Sequence, residues 1–229
     1  MRAMMLAAGL GTRLRPLTDA IPKCLVSIKG QPLLEIWLEH LTQAGIGPFL
    51  INTHHLAEQV EAFIEASPYR NHVRLVDECD LQGTAGTLIA NLDFFEGEDG
   101  LLVHADNYCL ADFTIFQKAH SNRPPECLMT MMTFRTDSPA SCGIVELDER
   151  GVVIGFHEKV AKPPGNLANG AVYIIGSELL EILRNKSHKP TDFSNNVIPS
   201  LLGKIYSYET NEVMIDIGFP SSYEKANSI

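Results

Sequence analysis

Short apolar runs alternate with amphipathic helical segments along the first 125 residues of the chain. The runs at residues 3–7, 49–51, 73–76 and 101–103 have the length and composition of buried strands. Residues 33–44, 57–66 and 84–92 are predicted helices, and Asp112 is an N-cap candidate for a fourth. Because parallel neighbours need a crossover connection, usually a helix, this order predicts an α/β fold with a mainly parallel sheet.

After residue 125 the predicted order changes to strands with a single helix. The strands are expected at residues 128–132, 144–147, 152–156 and 171–175, and the helix at 177–183. Such a series would add mixed or antiparallel strands to the same sheet. Since no linker, repeat or low-complexity segment separates the two parts, the sequence predicts one domain over residues 1–229.

Composition excludes several classes of protein. A hydrophobic content of 45% is enough for a sizeable core, and a net charge of −10 argues against binding to nucleic acid or anionic membranes through bulk charge. The five cysteines show no zinc spacing and favour free thiols in a reducing compartment. Glycine and arginine interrupt the N-terminus before a signal core could end, and no apolar run reaches about 20 residues, so we expect a cytoplasmic protein.

The most informative segment is LAAGLGTRLRPLTDAIPK, residues 6–23, which follows the first predicted strand. Its small residues allow backbone N–H groups to approach an anion, and Arg13, Arg15 and Lys23 add three cations in an acidic chain. The segment lacks the third glycine of a dinucleotide fingerprint, and the chain has no Walker loop. These features predict a phosphate-binding loop and disfavour a dinucleotide-dependent oxidoreductase.

Two carboxylates follow apolar runs. Asp106 comes just after the run at 101–103, where open α/β sheets bind ligands, and it suits Mg²⁺. Asp216 stands within a second run at 213–217. The two lie 110 positions apart, so spacing alone does not pair them.

The loop sequence resembles the N-terminal signature of the sugar-1-phosphate nucleotidyltransferases, LAxGxGTRLxPLT followed by PK. Residues 82–86 are similar to the GTAG segment of that family. Residues 213–220 are similar to its W-x-DIGTP, with Met214 and Phe219 as departures, and Ala105 replaces the usual glycine before Asp106. The matches extend from residue 3 to about residue 226.

The resemblance implies a nucleotide site and a metal site. In this family pattern Arg13 is the catalytic residue that steadies the leaving pyrophosphate, and Lys23 is the catalytic residue that contacts the phosphates. Asp106 and Asp216 are the implied ligands of an Mg²⁺ cofactor. The implied nucleotide-binding residues are Leu6, Ala8, Gly9, Gly11, Thr12, Arg13, Lys23, Gln82, Gly83 and Thr84.

The resemblance also implies a sugar-phosphate site. Gly143 begins a GxV segment, Glu158 and Lys159 belong to an F-x-EKP segment with Val160 in place of proline, and Asn169 begins N-x-G-x-Y. Residues 1–125 would then be mainly the nucleotide-binding half and residues 126–229 mainly the sugar-phosphate half. Only 11 residues follow Gly218, so we expect no C-terminal β-helix domain in this chain.

The fold implied is a three-layer α/β/α, Rossmann-like arrangement with a mixed, mainly parallel central sheet. The reaction implied joins a nucleoside triphosphate to a sugar-1-phosphate and releases pyrophosphate. Members that transfer guanylyl groups to mannose-1-phosphate fit best. Uridylyl or thymidylyl transfer to glucose-1-phosphate or N-acetylmuramic acid-1-phosphate stays open, as does an inactive homologue that only binds nucleotide sugars.

Overall fold

The computed structural model describes residues 1–229 and has the predicted α/β fold, with a mixed, mainly parallel central sheet. The strands are β1 Arg2–Leu6, β2 Ser27–Ile28, β3 Gln31–Pro32, β4 Phe49–Thr53, β5 Val73–Asp77, β6 Gly100–His104, β7 Asn107–Cys109, β8 Met129–Arg135, β9 Gly143–Leu147, β10 Val153–Glu158, β11 Leu167–Ile175, β12 Ile205–Glu209 and β13 Met214–Asp216. The α-helices are α1 Leu33–Gln43, α2 Ala57–Ala66, α3 Gly83–Ala90, α4 Phe113–Ser121, α5 Ser177–Arg184 and α6 Pro220–Ser228. No helix has the length and apolar character needed to cross a bilayer.

The predicted strands and helices are all present, and most of their ends shift by one or two residues. The Asp112 cap is confirmed, because its carboxylate accepts the backbone N–H groups of Thr114 and Ile115 at 2.8 and 3.0 Å. All five cysteines are free thiols, as predicted. Four short strands, β2, β3, β7 and β12, were not predicted.

Residues 1–81, 103–110 and 212–229 form one compact unit, called unit 1 below. Strands β1, β4 and β5 pair in parallel, with Met5 opposite Ile51 and Ile51 opposite Leu75. Because these parallel strands end at one edge, the segments that follow Leu6, Thr53 and Asp77 emerge together there. The strand interiors are fully buried at Met5 and Ile51.

Residues 82–102 and 111–211 form a second compact unit, called unit 2. Strand β11 pairs antiparallel with β8 and β9, β9 pairs antiparallel with β10, and β12 joins β8 in parallel. Tyr173, Phe116 and Phe193 are fully buried in its core. The bounds of the two units differ from the halves 1–125 and 126–229, and the single domain over residues 1–229 stays a prediction.

Candidate active site

The loop after β1 is anchored by side chains at the ends of neighbouring strands. The backbone N–H of Ala7 donates to Asn52 Oδ1 at 2.8 Å, and Asn52 Nδ2 donates to Glu78 Oε1 at 3.1 Å. Asn52 is in β4 and Glu78 directly follows β5, and both are buried. The backbone N–H of Ala7 therefore forms a hydrogen bond within the protein, whereas Gly9, two residues further along, is exposed.

A close approach at Gly11 fixes the turn of this loop. Gly11 has φ +62°, and the hydroxyl of Thr18 donates to its carbonyl oxygen at 2.7 Å. A Cβ atom at Gly11 would lie 2.8 Å from Cγ2 of Thr18, so a side chain there would displace Thr18. The turn leads into a 3₁₀ helix, Thr12–Leu14, whose last residue is buried, and Arg13 is thereby held at the surface.

Two carboxylates that are distant in sequence are joined by a small antiparallel ladder. Strand β13 pairs with β7 so that Asp216 lies opposite Asn107, the residue after Asp106. The indole N–H of Trp37 in α1 donates to the Asn107 carbonyl at 2.8 Å and anchors this ladder to the core. The structure thus brings together the two residues that sequence spacing could not pair.

Lys23 lies between these carboxylates. Its Nζ is 2.7 Å from Oδ2 of Asp106 and 3.6 Å from Oδ1 of Asp216. Burial raises the pKa of Asp106, but the charge of Lys23 and the other favourable contacts outweigh burial, and the net pKa is below the ordinary value. Asp106 is therefore an anion at neutral pH. Burial raises the pKa of the neighbouring Cys24 thiol to about 12, so that this thiol adds no charge.

These residues fit a divalent cation. The contacts of Lys23 demonstrate that one positive group reaches an oxygen of Asp106 and an oxygen of Asp216 together. Carboxylate oxygens are the donors that Mg²⁺ prefers, and Mg²⁺ is commonly held by one or two carboxylates plus phosphate oxygens. Asp106 and Asp216 could therefore hold Mg²⁺, and their role as its ligands stays a prediction.

Arg13 is oriented by Phe219, a residue to which the sequence assigned no role in the site. Its guanidinium carbon lies 4.5 Å from the centre of the Phe219 ring, and its Nη2 is 4.0 Å from Oδ2 of Asp216. A Cβ at Gly218 would lie 3.0 Å from both Arg13 and Asp216, so glycine leaves room for this contact. Phe219, one of the departures from the family pattern, is thus a partner of Arg13.

The replacement of the family's glycine by Ala105 is compatible with the backbone hydrogen bonding at this position. Ala105 is fully buried, and its N–H donates to the Leu6 carbonyl oxygen at 3.0 Å. The methyl group is accommodated in the core beside the start of the loop after β1. Asp106 follows with its side chain one-third exposed.

In unit 2, the residues at the start of α3 are held by the segment 191–193. The carbonyl oxygen of Thr191 accepts the N–H groups of Ala85 and Gly86 at 3.0 and 3.4 Å, and the Thr84 hydroxyl accepts the N–H of Phe193 at 2.8 Å. These contacts give residues 84–86 a structural role. The roles of Gln82, Gly83 and Thr84 in nucleotide binding stay predictions.

We expect Gly83→Ala to destabilise the protein by at least about 2 kcal/mol, because Gly83 has φ +76° and an added Cβ would overlap the Thr191 carbonyl oxygen. For a chain of this size that corresponds to a loss of roughly 4–8 °C in Tm. Gly97→Ala is the matched control, since Gly97 has φ +79° with open space around its Cβ position. Equal Tm losses in the two variants, measured by calorimetry, would contradict the overlap.

The implied sugar-phosphate residues also lie together within unit 2. Glu158 in β10 lies opposite Gly143 in β9, and a Cβ at Gly143 would meet Oε2 of Glu158. Asn169 in β11 donates from Nδ2 to the hydroxyl of buried Tyr173 at 2.7 Å, and its Oδ1 accepts the N–H of Ala171 at 2.9 Å. Both of these hydrogen bonds of Asn169 are formed with residues of its own strand, β11.

Lys159 stands at the end of β10 in a left-handed conformation, with φ +50°. Its N–H donates to the Cys142 carbonyl at 3.1 Å, which ties it to the residue before Gly143. Its ammonium group is 3.3 Å from Oε1 of Glu158, and the Lys159 side chain is 61% exposed. This exposure leaves the cation accessible to an anionic ligand.

Comparison with known proteins identifies relatives along the whole chain. A model of the family described as nucleotidyl transferase matches residues 2–229. A mannose-1-phosphate guanylyltransferase catalytic subunit beta of Drosophila pseudoobscura pseudoobscura is 30% identical over 228 residues, 97% of this chain and 60% of that protein. A UTP–glucose-1-phosphate uridylyltransferase of Synechocystis is 29% identical over 244 residues, 99% of this chain and 62% of that protein. The chain thus spans less than two thirds of the length of these relatives.

Solved structures share the fold. HddC from Yersinia pseudotuberculosis, crystallised with GMP-PN, superposes with a TM-score of 0.83 at 24% identity and covers 99% of this chain and 98% of its own. A Bacillus anthracis protein crystallised with sucrose gives a TM-score of 0.86 at 20% identity, covering 100% of this chain and 94% of its own.

Proposed function

The chain belongs to the nucleotidyl transferase family, and on that premise we propose that it transfers a nucleotidyl group from a nucleoside triphosphate to a sugar-1-phosphate and releases pyrophosphate. The observation that carries the proposal is the cluster of Lys23, Asp106 and Asp216 beside the loop after β1. It places two carboxylates that could hold a metal ion next to the loop that we propose binds phosphate. The test is pyrophosphate release across four nucleoside triphosphates and a panel of sugar-1-phosphates. Release that is absent with every pair would contradict the proposal and favour an inactive homologue.

The chemistry asks for positioning more than for acid–base catalysis. A sugar phosphate is already an anion at neutral pH, so its oxygen attacks the α-phosphorus in line without a general base. The main obstacle is repulsion between anions, about 4 kcal/mol for two unit charges 4 Å apart at an effective dielectric of 20. Bound Mg²⁺ would supply charge neutralisation at the phosphate oxygens.

The cations of this chain have separate proposed tasks. Lys23 and Arg13 bind the phosphates of the triphosphate, and Arg13 stabilises the charge that develops on the leaving pyrophosphate. Lys159 binds the sugar phosphate, and Glu158 accepts hydrogen bonds from sugar hydroxyls. Catalysis would then arise from alignment and electrostatic stabilisation.

The finer proposal is a preference for GTP and mannose-1-phosphate. It is supported by the relatives named mannose-1-phosphate guanylyltransferase and by the similarity of residues 82–86 to the segment that reads the base. The uridylyltransferase relative at nearly equal identity keeps UTP with glucose-1-phosphate as the second candidate. Thymidylyl transfer and N-acetylmuramic acid-1-phosphate complete the panel.

We expect GTP to exceed UTP and dTTP by at least about tenfold in kcat/KM with mannose-1-phosphate. The wrong base leaves buried hydrogen-bonding groups unpaired, at a cost of about 1–3 kcal/mol per group. Gln82 alone does not discriminate, because its amide is both donor and acceptor and can turn to suit several bases. Direct competition among the nucleotides measures the ratio. A tenfold preference for UTP or dTTP would overturn the guanylyl assignment and leave the reaction class intact.

A further inference from the structure

The side chain of Lys23 is far more buried than the carboxylates it contacts. It is 6% exposed, whereas the side chains of Asp106 and Asp216 are 34% and 54% exposed. Its Nζ lies within 2.7 Å of one carboxylate and 3.6 Å of the other. In the protein alone, the positive partner shared by both carboxylates is thus a lysine of the chain itself.

We propose that Lys23 is a built-in competitor for the divalent cation, holding Asp106 and Asp216 until the phosphates of the nucleotide draw its ammonium group away. The inference rests on the proposed function, because it takes these carboxylates as the metal ligands. It predicts an order: metal binds poorly to the nucleotide-free protein, and metal and nucleotide enter together.

The reason is that the ammonium group and a divalent cation cannot share the same oxygens. A metal ion that reached both carboxylates would come within a few ångströms of Nζ, where like charges repel strongly. Binding metal alone would therefore require breaking a partly buried ion pair, with no new partner for the lysine. Phosphate oxygens offer that partner, and the flexible stem of lysine with its three rotatable donors allows the exchange.

Arg13 provides a matched comparison. It carries the same charge and faces Asp216, but its Nη2 is 4.0 Å away, its side chain is 54% exposed, and its guanidinium lies over Phe219. Removing Arg13 lowers the positive charge of the site without vacating the position between the carboxylates. Comparing variants of Lys23 and Arg13 therefore distinguishes displacement of a lysine from the carboxylates from a general effect of removing one positive charge.

The first experiment measures Mn²⁺ binding to nucleotide-free protein by the loss of the free-ion EPR signal. Lys23→Gln is expected to bind Mn²⁺ at least about tenfold more tightly than wild type, the equivalent of one charge-assisted contact removed. Arg13→Gln is expected to change the affinity by less than about threefold, as for an exposed pair. Equal gains in both variants, or no gain in Lys23→Gln, would overturn the inference.

A second measurement needs no variant that might fail to fold. In wild type, saturating Mn²⁺ without nucleotide should displace Lys23 and increase its acetylation by acetic anhydride, quantified by peptide mass spectrometry against the exposed Lys162. Unchanged acetylation of Lys23 at saturation would show that metal binds without displacing it and would overturn the inference.

The same measurements separate failure of this inference from failure of the metal assignment. In Lys23→Gln, adding Asp106→Asn should abolish the gain in Mn²⁺ affinity. If the gain survives, the metal is bound elsewhere, which contradicts Asp106 as a ligand and the inference together. If wild type turns over with Mg²⁺ and Lys23→Gln shows no gain, the inference alone fails.

Discussion

Asp106→Asn and Asp216→Asn are each expected to lower kcat by at least about 100-fold, because a neutral amide is a much poorer ligand for Mg²⁺ than a carboxylate. We expect the two residues to act on one cation, since the β7–β13 ladder brings them to the same lysine ammonium group. Either substitution should therefore suffice. Steady-state turnover at limiting Mg²⁺ is the appropriate measurement, since excess metal would partly restore a weakened site.

Asp19→Asn is the control for this prediction. Asp19 lies in the segment between β1 and β2 and pairs with Arg15 at 3.0 Å, and both side chains are more than half exposed. The same chemical change there should leave kcat nearly unaltered, because an exposed pair contributes little. Full activity of either carboxylate variant at limiting Mg²⁺ would remove that residue from the metal site.

Lys159→Ala is expected to raise the KM for the sugar-1-phosphate at least about tenfold, the loss of one charge-assisted hydrogen bond to phosphate. Nucleotide affinity, measured separately with a fluorescent analogue, should stay within about twofold because the residues proposed to bind the two ligands are different. The lysine is suited to this role by its exposed ammonium and by the backbone hydrogen bond to Cys142 that fixes its position.

Lys162→Ala is the matched control, since it removes an exposed lysine three residues further along the chain. It should change neither constant. If Lys159→Ala instead abolishes nucleotide binding and leaves the sugar-phosphate KM unaltered, the assignment of the two substrates to their residues is reversed.

Local sequence features predicted much of the fold because each of these features indicates its strand, helix or cap without information from distant parts of the chain. The buried strand at 101–103, the helix at 57–66 and the Asp112 cap depend on neighbours within one turn or one strand. Strand β12 was missed although Ile205 and Ser207 alternate with the tyrosines, because Ile205 is its one aliphatic residue and its partners in β8 lie 76 positions earlier. Such pairing is a tertiary contact that period alone does not indicate.

The residues of the candidate site were named from the sequence and the resemblance, and their roles stay predictions. The contacts that connect these residues were not predicted. Nothing local to Asp106 or Asp216 specifies the ladder that joins them, and the burial of Lys23 depends on packing over long separations. The contact between Arg13 and Phe219 likewise joins opposite ends of the sequence. At residues 82–86, the resemblance implies a ligand, whereas the Thr191 carbonyl oxygen accepts the N–H groups of Ala85 and Gly86 and so gives the same segment a structural role.

The discontinuity of unit 1 has a consequence for the timing of assembly. The loop after β1 and Asp106 are synthesised early, but Asp216 belongs to the segment 212–229, which is translated after the whole of the long stretch 111–211. During synthesis, Lys23 and Asp106 leave the ribosome well before the second carboxylate, since the chain emerges from its N-terminal side. A chain that ends before residue 216 would therefore carry only one of the two carboxylates proposed to hold the metal, and we expect it to be catalytically silent.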